Sequence, residues 1–279
     1  MRYVLLGVIC LGLVVGCARK WISDEEAIRE LIDELGYLLG AGEYYGKETG
    51  DTTVTQGKGY AGVFWYRSVD SVSVDLKVNI NGDSAWVEIE RMIYGVFHRF
   101  PFDTMPAGTL VDKPKDLKDK ITRYAIFRKT GKPRRHRGWC LHKLSGAMAK
   151  SQLGGPDIKI DSVKLILKGD TITIREPFEF TDTVNIIECQ QNEEIEVYAY
   201  VSPDTVPVLV FLHSPGNQRH IRRRCMIISD GVFYGECKVG RKGYGRLGVD
   251  VIWSPSLFED DEGTYPYCSR AWIINIRCK

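Results

Sequence analysis

Histidine is scarce in this chain: five residues are scattered over 279. Histidine is the usual acid–base group near neutral pH, and here no motif gathers it with a nucleophile. No G-x-S-x-G stretch occurs, so nothing marks a nucleophile elbow. Phosphate-binding and dinucleotide-binding glycine motifs are also missing. Without any C-x-x-C pair, a structural zinc site or thioredoxin-like redox motif lacks its spacing. His213 and His220 flank a turn with no carboxylates nearby in sequence, so no metal or other cofactor is expected. Charge of one sign is not in excess either. There are 38 basic and 36 acidic residues, a formal net of +2. No global field draws the chain to nucleic acid. Internal repeats and low-complexity tracts are absent, as is any apolar run of the ~20 residues that span a bilayer as a helix.

What is present begins at the amino terminus. Arg2 is the only charge before Arg19, and Tyr3 to Gly16 is apolar or glycine throughout. A positive start, a short apolar stretch and small residues before a cut site describe a secretory signal. The Val14-Val15-Gly16-Cys17 tetrad resembles the lipobox of bacterial lipoproteins, with Val14 where that family prefers leucine. The resemblance implies cleavage before Cys17, acylation of its sulfur and amine, and a soluble body tethered to a leaflet. Each buried methylene of such a tether contributes about 0.8 kcal/mol. Ala18, rather than aspartate, implies the outer membrane if the cell has one. An ordinary secretory signal or an uncleaved anchor, with Cys17 incidental, is the alternative.

Six cysteines lie beyond that segment: Cys140, Cys189, Cys225, Cys237, Cys268 and Cys278. An even number in an exported chain allows disulfides, and buried thiols also serve as small core residues. Cys225 and Cys237 bracket the turn Ser229-Asp230-Gly231, so they are the best local pair if a disulfide forms. Cys268 and Cys278 lie about 33 Å apart in an extended strand and cannot join each other. Two basic runs stand out, Lys132 to Arg137 and Arg219 to Arg224. They read as solvated hairpin faces or as patches for acidic lipid or polysaccharide.

Local patterns divide the chain near Leu153-Gly154-Gly155-Pro156. Before that break, Ser23 and Glu26 form a capping box, with Ile22 and Ala27 placed for a hydrophobic staple. Ile28, Leu31, Ile32, Leu35, Leu38 and Leu39 then follow helical spacing up to Gly40 and Gly42. Val72 to Ile80 alternates strictly, Asn81-Gly82-Asp83 turns, and Ala85 to Ile93 alternates again, with Arg91 on the apolar phase. Strands over Lys120 to Lys129 and Gly138 to Leu144 follow. After the break, turn signals recur at short intervals between brief apolar runs, the mark of a β-sandwich.

The helix-then-hairpins order, with the ending Gly138-Trp139-Cys140-Leu141-His142-Lys143-Leu144-Ser145-Gly146, resembles the cystatin-like cone of the nuclear transport factor 2 and ketosteroid isomerase superfamily. The resemblance implies a helix-lined pocket but carries over no catalytic residue. Asp261-Glu262-Gly263-Thr264-Tyr265 resembles the corner before the last strands of immunoglobulin-like domains. The expected fold class is therefore α+β: an N-terminal helix-on-curved-antiparallel-sheet cone followed by an all-β sandwich. The expected boundaries are a signal peptide at 1–16, an anchor and short linker at 17–22, the cone at 23–152 and the sandwich at 156–279.

Arg91 and Arg123 sit among apolar neighbours, and a buried arginine needs an internal partner or an anionic ligand. With His98, His142 and Tyr94 they form the candidate pocket of the expected cone. Three functions compete. The first is a lipid-anchored envelope module that binds a ligand, an envelope protein or a glycan without catalysis. The second is an isomerase or hydrolase using His98 or His142 as base. The third is a structural subunit of an envelope assembly.

Overall fold

The computed structural model describes residues 22–36, 63–101, 111–130, 135–182, 186–216 and 220–279. The signal segment, Cys17, the expected helix end at Leu38 to Gly42 and the basic residues Lys132, Arg134 and Arg219 lie outside the described residues.

Strands account for 65% of the described residues and helix for 9%, in two helices. This overturns the α+β fold class expected from the sequence, and with it the helix-lined cone. The physical reason is visible in what covers the sheet. One helix, α1 (Asp24–Glu34), packs on only the far end of the long strands, while the rest of their face is covered by other strands.

α1 forms where its cap is encoded. Ser23 Oγ accepts from Glu26 N–H at 3.1 Å, and the Glu26 carboxylate accepts from Ser23 N–H at 2.7 Å. Ala27, Ile28, Leu31 and Ile32 are buried against Ala85, Val87, Ile89, Ala125, Phe127, Trp139 and Leu144. Burial of each large aliphatic there contributes about 2 kcal/mol. Asp24 also accepts from Lys129 at 3.1 Å and pairs with Arg137 at 2.9 Å.

The first four strands, β1 (Val63–Asn81), β2 (Ser84–Pro101), β3 (Lys115–Lys129) and β4 (Trp139–Ser151), form an antiparallel meander. The turn after β1 has Gly82 at φ +58°, and Ile80 faces Ala85 across it, as the alternation predicted. A bulge at Val69/Ser71 bends β1. The bend brings the strands so close that a Cβ on Gly95 would fall 1.9 Å from the Ser68 carbonyl oxygen.

Beyond the 153–158 crossing come β5 (Lys159–Leu167), β6 (Asp170–Ile174), β7 (Phe180–Asp182), β8 (Ile187–Cys189), β9 (Glu194–Ser202) and β10 (Val208–Pro215). They are followed by β11 (His220–Arg224), β12 (Met226–Ser229), β13 (Val232–Lys238), β14 (Gly243–Trp253), α2 (Ser254–Phe258) and β15 (Ser269–Cys278). One sheet runs β1-β2-β3-β4-β15-β14-β10-β11, with β7 on β4 and β8 on β15. A second runs β12-β13-β9-β5-β6. The strands on either side of the glycine break thus share one sheet, joined where Ile273 faces Ala147 and Arg270 faces Lys150.

The small sheet packs on β10, β14 and β15 over an aliphatic core. The opposite face of those strands closes a second core, with Trp65, Phe97, Phe211, Leu257 and Tyr267. The large sheet curls enough for its two edges to meet. Arg222 on β11 donates to the Trp65 carbonyl on β1 at 2.7 Å, and its guanidinium lies 3.6 Å from the Trp65 ring centroid.

Candidate functional site, a cationic cleft

A cleft of about 600 Å³ lies on the outer face of β3, β4 and β15, where residues 152–158 cross over them. Its floor is set by strand register. Lys120 faces Lys150 across β3 and β4, and Lys150 faces Arg270 across β4 and β15. Three cations therefore stand side by side on three neighbouring strands. Like charges directly opposite each other destabilise a sheet, so this row needs compensation. Asp157 supplies part of it, accepting from Lys150 and Arg270 at 3.2 Å each. Its side chain is 59% exposed. The Lys150 hydrogen bond and charge, with Arg270 beside it, hold the Asp157 carboxyl below its usual range. Lys120 pairs with Glu90.

Thr122, Ser151 and Gln152 add polar groups to the wall. The Gly154-Gly155-Pro156 turn forms the rim, and Gly155 is required there. Its φ is +93°, and a Cβ would fall 2.7 Å from Cys268 Cβ and 2.8 Å from its Sγ. Burial raises the pKa of the Cys268 thiol, which donates weakly to the Pro156 carbonyl at 3.6 Å. A thiol so held is no nucleophile. The cleft is equipped to hold an anion by charge and hydrogen bonds.

Behind the cleft, on the inner face, lies a buried ionic network. Arg67 donates to Asp250 at 2.8 Å and to the Tyr267 hydroxyl at 2.8 Å. His213 Nε2 lies 3.2 Å from the same Asp250 oxygen, and Tyr267 donates to Asp119 at 3.2 Å. Burial alone would raise the Asp250 carboxyl, but Arg67 and His213 outweigh it and hold it at about 2. Asp250, Asp119 and Tyr267 are 0% exposed, so this network has no access to substrate and serves as a structural core.

The residues singled out from the sequence do not converge on one pocket. Arg91 and Arg123 share the inner face. Burial lowers the pKa of both, and Arg246 and Arg91 push Arg123 down further. Arg123 donates to Asn275 Oδ1 at 3.1 Å. Glu88 and Glu90, on the neighbouring positions of β2, pair with Lys77 and Lys120. His98 points to the opposite face, 2.6 Å from Asp112 Oδ2 and stacked on Tyr66 at 4.4 Å. Tyr94 is 40% exposed beneath the Lys118 ammonium. His142 is half-buried on β4.

Cys225 and Cys237 are free thiols, each pushed up to about 12 by burial. The chain passes from the large sheet to the small one at Cys225, whose N–H still donates to the Val210 carbonyl on β10. The hairpin register then sets Cys225 against Gly235, two residues short of Cys237. Among the described residues, no group of three or more His, Cys, Asp or Glu side chains is arranged to hold a metal ion.

No family model, curated protein or solved structure matches this chain.

The cleft residues Lys120, Lys150 and Arg270 escaped sequence reasoning. Lys120 lies on the polar phase of β3, while Lys150 and Arg270 share a face with Met148 and Trp272, which pack into the aliphatic core. Only the pairings of residue 120 with 150 and of residue 150 with 270 make them neighbours.

Proposed function

We propose that this chain is a lipid-anchored binding protein of the cell envelope, held at the membrane through Cys17, whose cationic cleft takes up an acidic glycan. The observation that carries the reading is the row of Lys120, Lys150 and Arg270. At the strand spacing of about 4.8 Å, the row presents cations over roughly 10 Å. A polymer that carries carboxylates along its length matches such a row better than a single small anion does. Asp157 occupies the place of one ligand carboxylate and swings aside at little cost, because it is largely solvent-exposed. The hydroxyl and amide groups of Thr122, Ser151 and Gln152 suit sugar hydroxyls.

Calorimetric titration with oligogalacturonate tests this. Binding is expected at low salt and weakens as salt rises, because exposed ion pairs are screened. The double variant Lys150→Ala/Arg270→Ala should lose about tenfold or more in affinity, a difference of about 1.4 kcal/mol. Asp157→Asn should gain. Equal binding of a neutral glucan, or no binding by the folded protein at low salt, would overturn the proposal.

A further inference from the structure

Five thiols line the core between the two sheets: Cys189, Cys225, Cys237, Cys268 and Cys278. Two of them are partners in a ladder. β8 lies parallel to β15 with Ile187 beside Ile276, Glu188 beside Arg277 and Cys189 beside Cys278. The pairing is fixed on both sides of the cysteines. Lys279 N–H donates to the Cys189 carbonyl at 3.0 Å, and Gln191 N–H donates to the Lys279 carbonyl at 3.3 Å. Paired residues on neighbouring strands lie about 4.8 Å apart, inside the range of about 4.4–6.8 Å that a disulfide accepts between α-carbons. Ladder partners also project to the same side, and both of these are buried, at 0% and 3% exposure. The other three cysteines lack this relation, Cys268 lying just before β15 with its thiol on the Pro156 carbonyl. Cys225 stands against Gly235, and Cys237 faces Ile195.

We propose that Cys189 and Cys278 form a disulfide that staples the end of the last strand to β8. The structure shows the reduced form, in which burial and the neighbouring Cys278 push the Cys189 thiol up to about 12. A thiol of that character and burial reacts slowly, so the bond forms during folding, before the core closes. The oxidant is a small-molecule disulfide such as oxidised glutathione. One cysteine thiolate attacks it, forming a mixed disulfide and releasing one glutathione thiolate. The second cysteine thiolate then attacks the mixed disulfide, forming the protein S–S bond and releasing the second. Two protein thiols are oxidised and one glutathione disulfide is reduced to two thiols. The bond closes the long segment from residue 189 to residue 278, and long closures restrict the unfolded chain most.

The occurrence of the bond in cells rests on the export reading above; its chemistry does not. The natural chain is refolded with oxidised glutathione, its remaining thiols are alkylated in denaturant, and its peptides are mapped without reduction. A Cys189–Cys278 linked peptide is expected, with a thermal midpoint several degrees above that of the reduced protein. That gain should vanish in Cys278→Ala. Recovery of both cysteines alkylated, or of Cys189 linked to Cys237, overturns the proposal. The mapping uses the natural chain alone, so it decides the pairing even where Cys278→Ala folds poorly. A bond that forms on refolding while the protein from cells carries free thiols would count against export and leave the pairing intact.

Discussion

Two interiors lie back to back on β10, β14 and β15, and they are built from different chemistry. Toward the small sheet, Val210, Leu212, Val249, Val251, Trp272, Ile274 and Ile276 meet Val163, Leu165, Ile195 and Val197. That side is aliphatic with a few thiols. Toward the curled sheet, the same strands present His213, Asp250 and Asn275, which meet Arg67 and Arg123. The aliphatic side is held by area removed from water, which is non-directional and tolerates repacking. The ionic side is held by geometry, because a buried charge that loses its partner is strongly destabilising. A strand buried on both faces thus shares its alternation between an oily side and a charged side.

Removing one carboxylate should break the comparison most severely. Asp250→Ala leaves Arg67 and His213 beside an empty site, and we expect a loss of about 4 kcal/mol in urea unfolding. Leu165→Ala, at 0% exposure in the aliphatic core, should cost somewhat less, about 3 kcal/mol. A smaller loss in Asp250→Ala than in Leu165→Ala would show that the ionic interior relaxes or admits water.

Acid should act on one interior and spare the other. Asp250 has a lower pKa folded, about 2, than its ordinary 3.8. The stability it contributes is present above about pH 4 and is lost as pH falls toward 2. The effect is about 2 kcal/mol. Urea midpoints between pH 5 and pH 2.5 should therefore fall less steeply in an Asp250→Asn variant than in the natural chain. Parallel slopes would remove Asp250 from the account. Lys115 works in the opposite range. Burial, with Arg99 nearby, pushes its ammonium down to about 8, so its contribution improves as pH rises from about 8 to about 10.

The smallest effect belongs to the periphery of both interiors. Ser23→Ala removes the cap of α1 while leaving its buried stripe in place. About 1 kcal/mol should be lost, measured as a shift of the denaturant midpoint at constant slope. A loss several times larger would mean that α1 docking depends on the cap geometry.

Some of the molecule was legible because its signals are local. The Ser23/Glu26 capping box and the apolar spacing of Ile28, Leu31 and Ile32 placed α1. Strict alternation on either side of Asn81-Gly82-Asp83 placed the first hairpin, and it set Arg91 among inward residues. The resemblance to a helix-lined cone misled, because element order does not say what covers a sheet. Here β10, β14 and β15 return to do so, leaving the helix only the far end.

By itself, the sequence determined each strand's phase and the caps and turns between strands, since these depend on residues only a few positions apart. The tertiary structure alone decided which strands far apart in the chain became neighbours. Lys120, Lys150 and Arg270 form a row, and Cys189 meets Cys278, because β15 inserts beside β4 and β8. Pairings across such distances are fixed by the burial of whole sheet faces against each other, and no short window of the chain contains that information.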